Sequence, residues 1–96
     1  MVKERKVPRP VTLHFGEGLV VEEAAYDGEH HSPAIQLIEF SEGDAAGERS
    51  VRFCYYSRDG RFQRSPLMIS EDEIDEMRRA LEAAPRLREL LRRLVE

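Results

Sequence analysis

The spacing of apolar residues changes once along this chain, at Pro66, and that change limits the folds it can adopt. Before Pro66, apolar and polar residues alternate in segments such as 11–15, which is typical of half-buried β-strands. After Pro66, apolar side chains recur at helical spacing over 74–84, which predicts an amphipathic helix. Strands followed by helix in 96 residues indicate a single α+β domain.

The C-terminal segment predicts a helix that is divided near its middle. Ser70 and Glu73 form a capping box, which places the helix start after Pro66. Pro85 has no N–H to donate, so it kinks the helix or begins a second one. This last segment has a wide apolar face, formed by Leu87, Leu90, Leu91, Leu94 and Val95. One small sheet is not expected to cover so much leucine, so we expect a homodimer through the C-terminal helices.

The first two-thirds of the chain predict an antiparallel meander. An extended segment at 11–15 resumes at 19–26 after an interruption at Gly16 and Gly18, which indicate a bulge or a tight turn, and it is counted as one strand. A second extended segment at 34–40 precedes a hairpin whose turn is Asp59-Gly60. The return strand of the hairpin is expected at 61–65. The predicted architecture is a four-stranded antiparallel sheet, ββββα, with a C-terminal helix or kinked helix pair packed on one face.

The ends and the composition add three expectations. Residues 1–10 are predicted to be a flexible basic arm, because Pro8 and Pro10 oppose regular structure, and 11–96 to be one domain. A lone cysteine, Cys54, suits a reducing cytoplasm. No apolar run reaches the roughly 20 residues that span a bilayer, and no targeting segment is evident. We therefore expect a cytoplasmic protein without a membrane partner.

Charge is segregated along the chain. The net charge is −4, yet residues 10–48 contain nine acids and no lysine or arginine. Residues 49–66 contain five arginines and one aspartate, a local charge of +4. A polyanion partner is therefore permitted near the hairpin although the whole chain is acidic.

The hairpin stretch VRFCYYSRDGRFQRSP raises the sharpest functional question. With a two-residue loop, Arg58 lies opposite Arg61, and strand alternation separates the side chains into two sets. The set expected to face the helix is Val51, Phe53, Tyr55 and Phe62. The set expected on the open face includes Arg52, Tyr56, Arg58 and Arg61. Arg64 falls on the core side, so the strand bulges or ends there, or the loop is longer than two residues.

This open face has two interpretations. Arginines with an aromatic side chain suit single-stranded nucleic acid, which is bound by charge and stacking. The same residues are also common on the solvated face of an ordinary hairpin.

The segment Val51–Leu94 resembles the transcriptional positive-cofactor-four family, whose members are single-stranded-DNA-binding coactivators. The residues that carry the resemblance are FCYY at an aromatic strand, SRDGRF at the hairpin, and SPLMISEDEIDEM at the return strand and helix start. SPLM lacks the lysine-glycine pair of the family's return strand, and Ile74 stands where a tryptophan is usual. The resemblance implies a curved sheet, a homodimer through the helices, and single-stranded nucleic acid bound by Arg52, Tyr56, Arg58, Arg61 and Arg64.

The other groups of residues that could form a metal or catalytic site give only weak evidence for one. His30 and His31 are adjacent and would point to opposite sides of an extended chain, so a solvated loop is favoured over a metal site. Cys54 has no histidine base placed beside it, which favours a small packed side chain over a nucleophile. We therefore expect no enzyme, no metal and no cofactor. The expected function is a homodimeric single-stranded nucleic-acid-binding protein, for transcription or DNA maintenance. The alternative is a dimeric helix-on-sheet protein-interaction module that has lost nucleic-acid binding.

Overall fold

A computed structural model of the chain describes residues 6–13, 16–63 and 67–96. The elements follow in the order β1 (Arg9–Leu13), β2 (Gly16–Ala25), β3 (His31–Gly43), β4 (Arg49–Ser57), β5 (Leu67–Ser70), a 3₁₀ turn (Glu71–Glu73), α1 (Ile74–Leu81) and α2 (Pro85–Val95). The strands form one antiparallel sheet in sequence order, β1-β2-β3-β4-β5. The predicted α+β class and antiparallel meander are confirmed, as is the division of the C-terminal segment into two helices at Pro85.

The sheet has five strands where four were predicted. β1 and β2 pair directly, from Leu13 opposite Gly16 to Arg9 opposite Val20, so the first extended segment is a separate strand. β1 also begins at Arg9, within the segment predicted to be a flexible arm. Residues 1–5 of that arm lie outside the described part of the chain.

The β4 hairpin has a three-residue loop, which changes the expected pairing. The N–H of Ser57 donates to the carbonyl of Arg61 at 2.8 Å, and Gly60 adopts a φ of 92°. This combination is typical of a turn closed by a glycine bulge, a geometry that residues with a Cβ rarely adopt. Tyr56 consequently lies opposite Phe62 rather than Gln63. A shift of one residue moves every following side chain to the other face of the sheet.

The return strand lies further along the chain than expected. Among residues 61–63, Phe62 forms an isolated bridge with Tyr56, while the strand that continues the sheet is β5. β5 pairs with β4 from Ser50 opposite Ser70 to Phe53 opposite Leu67. The short β5 then leads into the 3₁₀ turn and α1.

The sheet curls toward one face, which we call the concave face. Nη2 of Arg9 on β1 lies 3.3 Å from the hydroxyl of Tyr56 on β4. Residues of this face are buried although neither helix contains a buried residue, so the sheet covers them by curling over its own face. The buried residues of the concave face are Val20, Ser32, Ala34, Gln36, Ile38, Phe40, Ser50, Arg52 and Tyr56.

The apolar core lies on the concave face and is small. Val20, Ile38 and Phe40 form its buried centre, and Val11, Leu13, Ala45 and Met68 pack around it. Gly18, opposite Phe40, is needed for this close packing, because a Cβ there would lie 2.4 Å from the carbonyl oxygen of Glu39.

The helices do not cover a face of the sheet, contrary to the prediction. Residues 71–96 are all described, and neither helix contains a buried residue. α1 stands beside β5, where Leu67, Ile69 and Met77 line a shared cavity of about 240 Å³. The radius of gyration is 14.4 Å, whereas a compact domain of this length has about 12.5 Å. The helix pair therefore extends from the edge of the sheet.

Candidate functional site: a buried polar network and an open apolar face

The concave face contains a hydrogen-bonded polar network with Gln36 at its centre. Gln36 is 1% exposed, and its Nε2 donates to Oε2 of Glu23 at 2.7 Å and to the hydroxyl of Tyr56 at 2.9 Å. Its Oε1 accepts from Nε of Arg52 at 2.7 Å. The Sγ of Cys54 lies 3.4 Å from the same oxygen. Both ends of the buried amide are thus satisfied, which is what makes a polar side chain tolerable at this depth.

Arg9 connects β1 to this network. Its Nη1 and Nη2 lie 3.2 and 3.1 Å from the two carboxylate oxygens of Glu23, a bidentate ion pair. Burial opposes the charge on Arg9, but the hydrogen bonds to Glu23 and Tyr56 outweigh it and raise the pKa of Arg9 above its ordinary value. The N-terminal strand is therefore held to the sheet by charge as well as by backbone pairing.

Arg52 and Tyr56 are buried, so their predicted place on an open face is wrong. They are 5% and 7% exposed, and the guanidinium of Arg52 lies 4.6 Å from the ring centre of Phe62. Phe62 also meets Tyr56 edge to face at 5.5 Å. The prediction assumed that a helix would bury the other face of the sheet. Instead the sheet curls over Arg52 and Tyr56, and the longer hairpin loop brings Phe62 to their side.

Arg58 and Arg61 are exposed at the hairpin loop, but they do not lie opposite each other as predicted. Nη1 of Arg58 donates to the carbonyl oxygens of Gly28 and Glu29 at 3.3 and 2.6 Å, which ties the loop to the β2–β3 connection. The Arg61 side chain is 84% exposed and lies 3.7 Å from a carboxylate oxygen of Asp59. The predicted Arg58–Arg61 repulsion therefore does not arise. Arg64, the fifth predicted contact, lies outside the described residues.

The opposite side of the sheet, which we call the open face, is largely apolar, and α1 flanks it only near β5. Strand pairing places the following residues on it: Leu19, Glu22, Ile35, Leu37, Glu39, Val51, Phe53, Tyr55, Leu67 and Ile69. Val51 and Phe53 are half-buried, and Tyr55 is 43% exposed with its ring 4.7 Å from that of His31. These residues were expected to form the core beneath the helix, and that expectation is wrong.

A groove crosses the open face. Two adjoining cavities of about 440 and 260 Å³ share Leu37 and Val51 in their walls. One end of the groove is closed by Ile74 of α1 and by the Arg49–Glu71 ion pair, whose Nη2 and Oε2 are 2.5 Å apart. The other end opens toward Glu22 on β2. The groove therefore has an apolar floor and a charged rim.

The Gln36 network was not foreseen from the sequence, although one signal pointed to it. Gln36 alternates with Ala34, Ile38 and Phe40 in an otherwise apolar strand, so period two places it on the buried face. An amide at such a position needs buried partners. Those partners come from β1, β2 and β4, and the spacing of residues in the sequence does not identify them.

A metal site and a membrane-spanning helix each place requirements on the described residues. The described residues contain no group of three or more histidine, cysteine or acidic side chains arranged to hold a metal ion. In residues 6–13, 16–63 and 67–96, no helix combines the length and apolar character needed to cross a bilayer.

The two faces of the sheet thus have different chemistry. The concave face contains charged and polar groups that bind one another, and the open face presents apolar side chains to solvent. Comparison with known proteins adds no relative: no family model, no curated protein and no solved structure matches this chain.

Proposed function

We propose that this chain is a protein-interaction module that acts as a homodimer through its open face and its helix pair. One observation carries the proposal: a helix pair without a buried residue occurs in the same chain as an uncovered apolar sheet face. Leu87, Leu90 and Leu94 of α2 are each at least half exposed. Apolar patches of this kind on small proteins mark interaction surfaces.

The exposed area supports the same proposal. The chain exposes 7431 Å², whereas a compact monomer of 11.1 kDa exposes about 5,700 Å². The excess, roughly 1,700 Å², covers the whole chain, including residues outside the described part, and it is about twice the ~800 Å² that each partner contributes to a standard interface.

The open face also fits a protein better than a nucleic acid. Among the described strand residues of this face, the exposed charges on β2 and β3 include Glu22 and Glu39, and Arg49 on β4 is paired with Glu71. Carboxylates repel phosphates, and apolar side chains with a charged rim are typical of protein interfaces.

The test is the mass of the protein in solution. Light scattering and sedimentation at micromolar concentration should give twice 11.1 kDa. Replacing both Leu90 and Leu94 by glutamate should yield monomer, because two charges would enter the apolar stripe. Arg92→Glu is the matched control, since Arg92 lies on the opposite side of α2 by helical spacing, and it should leave the dimer intact. A monomeric wild-type chain contradicts the proposal.

Single-stranded nucleic-acid binding is a second candidate, and it now depends on the hairpin loop. Arg58 and Arg61 are exposed there, with Phe62 and Tyr55 each more than two-fifths exposed nearby in sequence. Arg52 and Tyr56 would act by supporting the hairpin rather than by touching a strand.

A fluorescent single strand of ~20 nucleotides, titrated at several salt concentrations, tests this candidate. If the protein contacts Z phosphates, the logarithm of the binding constant should fall linearly with the logarithm of the salt concentration, with a slope of about −0.7Z. Arg61→Ala should weaken binding without unfolding the protein, and Arg78→Ala on α1 is the matched control. Absence of binding at low salt removes this candidate and leaves the homodimer proposal unaffected.

A further inference from the structure

We infer that helix α2 of a second copy lies in the groove on the open face, and that α2 of the first copy lies in the groove of the second. This inference rests on the proposed homodimer and names which surface meets which. The alternative arrangement of a dimer, in which the two helix pairs meet each other and leave the grooves empty, is distinguished by the experiment below.

The dimensions of the two surfaces agree. α2 has 11 residues, so it is about 16 Å long. The open face from β2 to β5 spans three strand spacings, or about 14 Å. One helix therefore crosses the open face once, with Leu37 and Val51 beneath it.

The apolar stripe of α2 has the shape that the groove requires. At 3.6 residues per turn, Leu87, Leu90 and Leu94 lie on one side of the helix, within about 60° of each other. The floor beneath them would be Ile35, Leu37 and Val51, which are half-buried. Leu37 and Val51 lie opposite each other across the β3–β4 pair, and Ile35 is two residues before Leu37 on β3. Helix on sheet is a standard way to bury two such surfaces.

Charge complementarity selects α2 of another copy over a neutral helix. The α2 stripe is flanked by Arg86 and Arg93 on one side and by Arg88 on the other. Glu22, Glu71 and Asp75 line the groove, and the exposed Glu39 occupies the next open-face position of β3 after Leu37. Residues 10–48, which supply Glu22 and Glu39, contain nine acids and no basic residue. The arginines of α2 in one copy and the acidic residues around the groove of the other copy therefore attract each other.

Within one chain, α2 is kept away from its own groove. The groove is closed at one end by Ile74, at the start of α1, and the main neighbour of α2 is α1. Reciprocal exchange between two copies fills both grooves and uses both helices, as a two-fold interface requires. A closed two-fold arrangement of this kind does not extend into a longer assembly.

Cysteine crosslinking tests the arrangement. In a Cys54→Ser background, one chain carries Leu37→Cys and the other Leu90→Cys, and the two are mixed and oxidised. A disulfide between the chains is expected, because it forms only where the Cα atoms approach to about 4.4–6.8 Å. Pairing Leu37→Cys with Arg92→Cys is the control and should give no crosslink, since Arg92 lies on the far side of the helix.

The outcomes separate the two proposals. A dimer by light scattering without the 37–90 crosslink overturns the groove arrangement and leaves the homodimer standing. A crosslink between two Leu90→Cys chains in its place shows that the helices meet each other. A monomer overturns both.

Charge reversal provides a second test that does not depend on crosslinking. Glu22→Arg with Glu39→Arg should weaken the dimer roughly fivefold or more, as expected for two exposed ion pairs. Adding Arg86→Glu and Arg93→Glu to the same chain should restore the affinity. If Arg86→Glu and Arg93→Glu do not restore the affinity of the dimer, the inference is wrong.

Discussion

The Nε of Arg52 donates a 2.7 Å hydrogen bond to Oε1 of Gln36, directly across the β3–β4 pair. Because Nε2 of Gln36 donates to Glu23, the amide joins the buried arginine to a carboxylate that it does not touch. Glu23 in turn binds Arg9 on β1. A chain of hydrogen bonds therefore crosses β1 to β4, and its members stabilise the curl of the sheet.

Replacing Arg52 by methionine should destabilise the fold. The variant keeps most of the apolar stem but leaves Oε1 of Gln36 without its charged donor, which costs about 1–3 kcal/mol of unfolding free energy. Chemical denaturation measures this as a lower midpoint. Arg61→Met, at an exposed loop position, is the control and should leave the midpoint unchanged. Equal midpoints for the two variants would show that the Arg52–Gln36 bond contributes nothing.

Removing the hydroxyl of Tyr56 should have a smaller effect. Tyr56→Phe keeps the ring against Phe62 but removes the oxygen that accepts from Arg9 and Gln36. Both donors retain Glu23, so we expect a loss of about 1 kcal/mol. Denaturation of the single and double variants with Arg52→Met would reveal coupling between the two positions, since they share Gln36. Strictly additive losses would contradict a common network.

The sequence allowed the fold class to be predicted because its signals are local. The period-two alternation, the Asp59-Gly60 turn, and Pro85 each act within a few residues, and the strands, turn and helix break they indicated are present, except that the strand after the turn is Leu67–Ser70 instead of 61–65. The face of the sheet that is buried depends on its curl and on where the helices pack. Both are long-range properties, so the sides of Arg52 and Tyr55 were assigned the wrong way round.

The hairpin error had a similar cause. A two-residue and a three-residue loop both suit Asp59-Gly60, and the choice fixes the face of Phe62. The alternation of residues in the sequence is consistent with both pairings of the hairpin, one for each face of the sheet on which Phe62 can lie. The contact between Phe62 and Arg52 distinguishes them only once the chain is folded.

Glu42→Gln should stabilise the protein at neutral pH. Glu42 lies opposite Glu17 on β2, and a hydrogen bond and charge repulsion from Glu17 raise the pKa of Glu42 above its ordinary value. A raised pKa means that the folded state favours protonated Glu42, and this stabilisation is lost as the pH rises through the folded pKa. The amide cannot ionise, so the gain should appear near pH 7 and shrink in acid.

Thermal unfolding of wild type and Glu42→Gln from pH 7 to 4 measures this difference. Glu48→Gln, at an exposed acid of the β3–β4 connection, is the matched control. A gain of equal size at every pH would mean that the effect does not come from the charge on Glu42.

Loss of the Arg49–Glu71 ion pair should have the opposite pH dependence. The hydrogen bond and charge of Arg49 lower the pKa of Glu71 below its ordinary value. The pair therefore stabilises the fold above the unfolded pKa of glutamate, about 4.3, and its contribution is lost as the pH falls through the folded pKa. Arg49→Gln should lower the melting temperature at pH 7 and match wild type in strong acid.

The position of this pair explains why its loss should matter beyond one exposed contact. Nε and Nη2 of Arg49 hold both carboxylate oxygens of Glu71, which fixes the 3₁₀ turn to β4 at the point where α1 begins. Arg78→Gln is the matched control, because the Arg78–Asp75 pair is exposed and lies within α1 alone. Melting curves recorded from pH 7 to 3 should separate the two variants at neutral pH and converge in acid. If Arg49→Gln behaves like Arg78→Gln throughout, the pair does not secure the start of the helix.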